Sequence, residues 1–169
     1  SMGFLGYSNI LGIDKYFGRN EYNNDTGFDG YWGIWDEPFL QFMKEKLDEE
    51  KEPFFSTVFT ISSHEPYIIP EKYKETFPEG DIIMHKCVRY TDYALRRFFD
   101  EAKKEHWYNN TLFVLVADHA NLIYYPEYRK ALNINTIPIL FYHPDGRYNG
   151  LNNLLAQQID IYPTIVDMI

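Results

Sequence analysis

Thr111-Leu112-Phe113-Val114-Leu115-Val116-Ala117-Asp118-His119 is the stretch that decides the fold. The run from Thr111 to Ala117 reads as an apolar strand, and Asn109-Asn110 supplies the turn into it. It passes with no turn residue into an acid and an imidazole. Two other stretches read as strands. Phe54-Phe55-Ser56-Thr57-Val58-Phe59-Thr60-Ile61 follows Pro53, and Thr136-Ile137-Pro138-Ile139-Leu140-Phe141-Tyr142 carries a proline that marks an edge or a bulge. Between the first two strands, Met84, Val88, Thr91, Leu95, Phe98 and Ala102 recur at steps of four and three, the stripe of a core-facing helix. Strand, long helix, strand, short helix, strand is the pattern of a right-handed parallel crossover. The expected fold class is therefore α/β, a largely parallel sheet flanked by helices.

Outward from that centre, residues 1–35 are rich in Gly, Asn, Asp and aromatics without a sustained period. They are expected to form an irregular segment packed through Tyr16, Phe17, Phe28, Trp32 and Trp35, ahead of an α/β part over 36–169. Asp36-Glu37-Pro38 reads as a helix start, with Asp36 as the cap and Pro38 where a missing N–H does no harm. Phe39, Phe42, Met43 and Leu47 then share a face, Lys44 to Glu52 is a charged, solvated tail, and Glu71 to Thr76 makes a single helical turn. Residues 1–169 are read as one domain.

A chain of 169 residues and 20.2 kDa has room for one sizeable core. Sixteen basic against 25 acidic residues leave a net charge of −9, which repels a nucleic-acid backbone and excludes that class of partner. A single cysteine, Cys87, excludes an internal disulfide and a cysteine-rich zinc module. Ser1-Met2-Gly3-Phe4 does not read as a secretory leader, and no stretch approaches the roughly 20 apolar residues that span a bilayer. Asp160 caps a last amphipathic helix with Pro163 in its first turn, and Ile169 ends it after two turns. The expectation is a piece of a longer protein.

In an open parallel sheet, ligand sites lie beyond the carboxyl ends of the strands. The strand ending at Ile61 leads into Ser62-Ser63-His64-Glu65-Pro66-Tyr67, and the one ending at Ala117 leads into Asp118-His119-Ala120-Asn121. Parallel strands would bring His64, Asp118 and His119 to one rim. Taken singly, Asp118 is as readily a turn former, and His119 is more often a hydrogen-bonded structural histidine than a ligand. Together, two imidazoles and a carboxylate are the set that holds a divalent metal and steadies an anionic substrate. His85, His106 and His143 are read as solvent-facing, capping or turn residues, and Tyr124-Tyr125-Pro126 as aromatic packing. Cys87, inside the long helix between basic residues, is read as a spectator thiol. The Trp32–Trp35 pair is expected to anchor its irregular segment.

These motifs resemble a known family. Leu112 to His119 looks like the strand and metal-binding Asp-His of the sulfatase and lipoteichoic acid synthase group of the alkaline phosphatase superfamily. Thr60 to Tyr67 is similar to that group's segment in which a histidine contacts substrate. Trp32-Gly33-Ile34-Trp35-Asp36-Glu37-Pro38-Phe39 and Asp160-Ile161-Tyr162-Pro163-Thr164 also resemble segments of these proteins, and the phosphoglycerol transferase branch is the nearer one.

The resemblance implies Asp118 and His119 as metal ligands, with Mn²⁺ ahead of Ca²⁺, Mg²⁺ or Zn²⁺, and His64 as a substrate-binding residue. It implies an anionic phosphate- or sulfate-ester substrate, lipid- or glycan-linked in some members, and a metal-activated hydroxyl that forms a covalent intermediate. The family's nucleophile has no counterpart here, and Met2 and Phe4 stand where the transferases carry a Trp and an Arg. The resemblance implies that the parent protein is membrane-anchored with an extracytoplasmic catalytic domain, and the missing nucleophile implies that this chain alone is inactive and needs its upstream part. A true sulfatase, or a non-catalytic binding protein that retains the fold, are the alternatives.

Overall fold

The computed structural model describes residues 3–169, so Ser1 and Met2, the first two positions of the expected irregular segment, lie outside the described residues. Helix α1 (Phe4–Ile10) leads to a turn at Gly12, whose φ of 74° suits a residue without Cβ. One turn of helix, α2 (Arg19–Tyr22), follows. Residues 27–35 then double back. Phe28 and Ile34 form an antiparallel bridge, Trp35 N–H donates to the Gly27 carbonyl at 2.8 Å, and the Asp29 carboxylate accepts from the backbone N–H groups of Tyr31, Trp32 and Gly33. One short acidic side chain thereby organises a tight turn that holds Trp32 at its tip.

Helix α3 (Asp36–Asp48) starts where the sequence places it, but its cap is not the expected one. Trp35 occupies the cap position, and the Asp36 carboxylate turns away from the helix start into the interior. Its buried face carries Leu40 and Leu47, with Met43 packed on the core. Phe39 and Phe42 instead form an aromatic cluster with Tyr22, which Phe17 joins edge-on.

Helix α4 (Met84–Ala102) packs along α3. Its buried residues are Cys87, Tyr90, Ala94, Phe98 and Ala102, so the covered face is rotated by about one position from the expected stripe and Val88 is half exposed. Tyr90 accounts for the rotation: its ring is buried while its hydroxyl accepts the Glu37 N–H, a polar tip satisfied inside the core. Leu40, Leu47, Ala94, Phe98, Ala102, Trp107 and Tyr108 form the core cluster. Trp107 is fully buried and donates its indole N–H to Asp48 at 2.8 Å.

Strands β1 (Phe113–Val116) and β2 (Ile139–Tyr142) pair antiparallel, Phe113 opposite Tyr142 and Val116 opposite Ile139. The expected largely parallel sheet is thus, among the described residues, a two-stranded antiparallel ladder in an α/β chain. Residues 54–61 are extended but join no ladder. Their alternation is that of a strand, with Phe54 and Val58 on the core and Phe55 and Phe59 at 80% and 51% exposure. A single turn at Glu71–Tyr73 and a terminal helix, α5 (Ile161–Met168), follow the sequence reading, although Asp160 caps α5 through no side-chain hydrogen bond.

Leu40, 2% exposed between α3 and α4, should behave as a core residue. Leu40→Ala is expected to cost about 2–5 kcal/mol in chemical denaturation. Leu151→Ala, at a side chain 87% exposed, should stay within about 0.5 kcal/mol of the parent.

Candidate functional site

Asp118 and His119 follow β1 directly, and the strand's end delivers them to an exposed loop. The Asp118 carboxylate accepts the His119 N–H at 3.0 Å, and its other oxygen lies 3.5 Å from His119 Nε2. His119 Nδ1 sits 2.8 Å from the Ala120 carbonyl. A carbonyl only accepts, so that contact places the ring proton on Nδ1 and leaves Nε2 with its lone pair beside the carboxylate. The loop is braced from the far end of the chain: Gln158 Nε2 donates to the carbonyls of Ala117 and Asp118 at 3.0 and 2.8 Å.

His64 repeats the device. Its Nδ1 is 3.1 Å from the Glu65 carbonyl, which again assigns the proton to Nδ1 and releases Nε2. The Trp32 ring lies against the imidazole, centroids 4.2 Å apart. Three residues on, Tyr67 adopts φ 58°, a left-handed conformation uncommon for a bulky residue, and its hydroxyl donates to Asn121 Oδ1 at 3.1 Å. That bond joins the His64 loop to the Asp118-His119 loop.

The structure therefore brings Asp118 and His119 side by side and ties the His64 loop to theirs, with no hydrogen bond from His64 to either. Among the described residues, no three His, Cys, Asp or Glu side chains come together as a metal cluster. The sequence reading did not include Tyr67, Asn121 or Gln158. Their signals were a Tyr and an Asn each three residues beyond a strand-end site residue, and a Gln too remote in sequence to be linked.

The remaining candidates fall where the residue types place them. His85 Nδ1 accepts the Asp81 N–H and its ring meets Tyr124 edge-on; His106 is exposed, 3.9 Å from Glu52. His143 is buried in its turn, with Nδ1 2.9 Å from Asp145. The neighbouring Arg147, bonded to the Asp145 carboxylate, holds that group well below the usual carboxylate range. Cys87 is fully buried, its Sγ 3.7 Å from the Ile68 carbonyl, and burial, with Glu79 adding to it, pushes the thiol up to about 11. It is no nucleophile.

The fold matches that of a known protein. A protein of the alkaline phosphatase superfamily from Vibrio parahaemolyticus superposes with a TM-score of 0.63 at 36% identity, over 79% of this chain and 33% of that one. The Sulfatase family profile matches residues 3–169, and the chain belongs to that family. Lipoteichoic acid synthase 1 of Bacillus subtilis is 26% identical over 94% of this chain, and the lipoteichoic acid synthase-like YvgJ of the same organism is 32% identical over 64% of it. Lipoteichoic acid synthase of Staphylococcus aureus is 26% identical over 94% of the chain. The chain spans 27% of the length of the two synthases and 18% of YvgJ.

For Cys87, a folded pKa above its unfolded value keeps the neutral thiol in the native state. Its contribution to stability is complete below about pH 8.5 and is lost as pH rises through about 11. At pH 8, iodoacetamide should label Cys87 in the native chain at least ~100-fold more slowly than in urea. Mass spectrometry of the alkylated protein measures the two rates.

Proposed function

We propose that this chain is the carboxyl-terminal portion of a metal-dependent phosphoglycerol transferase or sulfatase-like hydrolase acting on phosphate or sulfate esters. By itself it is inactive, because the nucleophile is not among its residues. The observation that carries this reading is the pair of Nδ1-anchored imidazoles, His64 and His119, on two loops joined by the Tyr67–Asn121 bond, with Asp118 beside His119. Membership of the sulfatase family supports the ester chemistry, and relatives named lipoteichoic acid synthase favour the transferase branch.

The donor set fits part of a metal site. Asp118 offers carboxylate oxygens and His119 a free Nε2, which suit Mn²⁺ and also Ca²⁺, Mg²⁺ or Zn²⁺. A divalent cation bound there would lower the pKa of an attacking hydroxyl and offset charge on the transferred group. With two ligands in this chain, the rest of the shell comes from elsewhere in the parent protein. The Ala120 carbonyl keeps His119 in the ligating tautomer, and Gln158 holds the backbone that carries Asp118. His64 presents an Nε2 lone pair, which accepts a hydrogen bond from a hydroxyl of the phosphate or glycerol part of the substrate. A chain of net charge −9 repels an anionic ester, so a bound divalent cation would be what offsets that repulsion at the site.

The partner surface is the remaining part of the domain, supported by apolar side chains left in water at Phe55, Leu154, Leu155 and Ile159. The parent is membrane-anchored with its catalytic domain outside the cytoplasm; in the described residues, no helix is long and apolar enough to cross a membrane.

Mn²⁺ titration followed by electron paramagnetic resonance tests the assignment. Asp118→Ala and His119→Ala should each weaken binding by at least ~10-fold. The unaltered chain should leave bis(p-nitrophenyl) phosphate and p-nitrophenyl sulfate uncleaved. Unchanged Mn²⁺ affinity in Asp118→Ala would remove the metal role, and robust turnover by the chain would remove the claim of inactivity.

A further inference from the structure

We propose that Asp36 and Trp32, although far from His64 in sequence, are the positioning residues that set the height, orientation and tautomer of its imidazole; this rests on His64 being the substrate-binding residue. Asp36 is 1% exposed. One carboxylate oxygen accepts from Ile61 N–H at 2.8 Å and Ser62 N–H at 3.0 Å, and the other accepts from Thr91 Oγ1 at 2.7 Å. The Asp36 N–H donates back to Ser62 Oγ at 3.0 Å, and Ser62 is itself buried. Four hydrogen bonds thus lock α3, α4 and the end of the extended run together two residues before His64. No strand ladder holds residues 54–61, so this carboxylate takes over where backbone pairing would otherwise fix the chain.

Trp32 grips the same loop from its other side. Its indole N–H donates to the Glu65 carbonyl at 2.6 Å, the oxygen that also lies 3.1 Å from His64 Nδ1, and its ring lies against the imidazole. A carbonyl oxygen has two lone pairs, so both N–H groups are accommodated at once. The indole orients the carbonyl, the carbonyl keeps the proton on Nδ1, and Nε2 faces its task in one tautomer. Trp32 is itself held by the Asp29 turn and is connected through Ile34 and Trp35 to Asp36, so both grips belong to one continuous segment.

The test uses the full chain with ¹⁵N-labelled histidine, read by long-range ¹H–¹⁵N spectra that distinguish the two ring tautomers, with circular dichroism as the control for folding. In the parent, His64 should show the Nδ1–H pattern. Trp32→Ala, at a site 46% exposed, should fold and shift His64 toward a mixture of tautomers, whereas Trp32→Phe should retain ring contact and still lose the pattern. Asp36→Ala should broaden or move the His64 signals, and Asp36→Asn, which keeps an oxygen for the Ile61 and Ser62 N–H groups, should restore them. If Asp36→Ala does not fold, Trp32→Ala and Asp36→Asn decide. His64 signals unchanged in folded Trp32→Ala overturn the proposal. Binding of inorganic phosphate, measured in parallel, separates the two ideas: the positioning variants should weaken it by ~10-fold. Shifted ring signals in a chain that binds no phosphate would uphold the positioning role and refute the substrate role of His64.

Discussion

A carboxylate removed from water loses several kcal/mol of hydration unless other groups replace it. For Asp36 the replacement is made by neutral donors: two backbone N–H groups and a threonine hydroxyl. Hydrogen bonds to a charged group contribute about 1.5–3 kcal/mol each, and a buried donor stripped of its acceptor costs about 1–3 kcal/mol. Those magnitudes make the arrangement all-or-none. With the carboxylate present, α3, α4 and the run ending at Ile61 share one joint; without it, two amides are stranded inside. The rest of the structure inherits its geometry from that joint, because the two helices form the core and the run carries the His64 loop.

The two site histidines show how a backbone can do the work usually given to a second side chain. In each, the carbonyl of the following residue accepts from Nδ1, which fixes the tautomer without a carboxylate partner. Their surroundings then differ. His119 has the Asp118 carboxylate beside its Nε2, an environment that favours a cation. His64 instead has the Trp32 ring beside it, tilted 54° to the imidazole, and, among the described residues, no carboxylate at its Nε2. Identical backbone anchoring thus serves two histidines with different neighbours, on loops joined by the Tyr67–Asn121 hydrogen bond.

Much of this was legible in the sequence where local chemistry and tertiary packing agree. The existence and extent of α3 and α4 and the apolar run that becomes β1 all translate directly. Asp36 was misread for a physical reason: an acid before Glu-Pro has the same local signature whether it caps a helix or is drawn inward by donors 25 and 55 residues away. The one-position rotation of α4 arose similarly, since a hydropathy stripe counts Val88 as core and discounts Tyr90, whose buried hydroxyl finds a partner only in the folded chain. The sheet's direction was beyond reach because β-branched runs encode strand formation and burial, not the choice of neighbour. The family resemblance, by contrast, rested on motif order, and the Sulfatase match over residues 3–169 agrees with it.

The distribution of apolar surface explains why a strand-like sequence at 54–61 has no ladder. An isolated two-stranded ribbon is marginal in water and needs either further strands or a helix against its face. Here β1 and β2 satisfy that need through Phe113 and Tyr142, which pack beneath Phe99 on α4. Residues 54–61 press one face, Phe54 and Val58, onto the same core, and this leaves Phe55 in water and Phe59 half exposed beside Phe4. Burial of a phenylalanine stabilises by about 1.5–3 kcal/mol, so the outward face represents stabilisation not yet realised. The Asp36 joint offsets that shortfall at one point only, the end of the run. The loop that carries His64 is consequently held at its base by the Asp36–Ser62 joint, at its side by the Trp32 indole and beyond it by the Tyr67–Asn121 hydrogen bond.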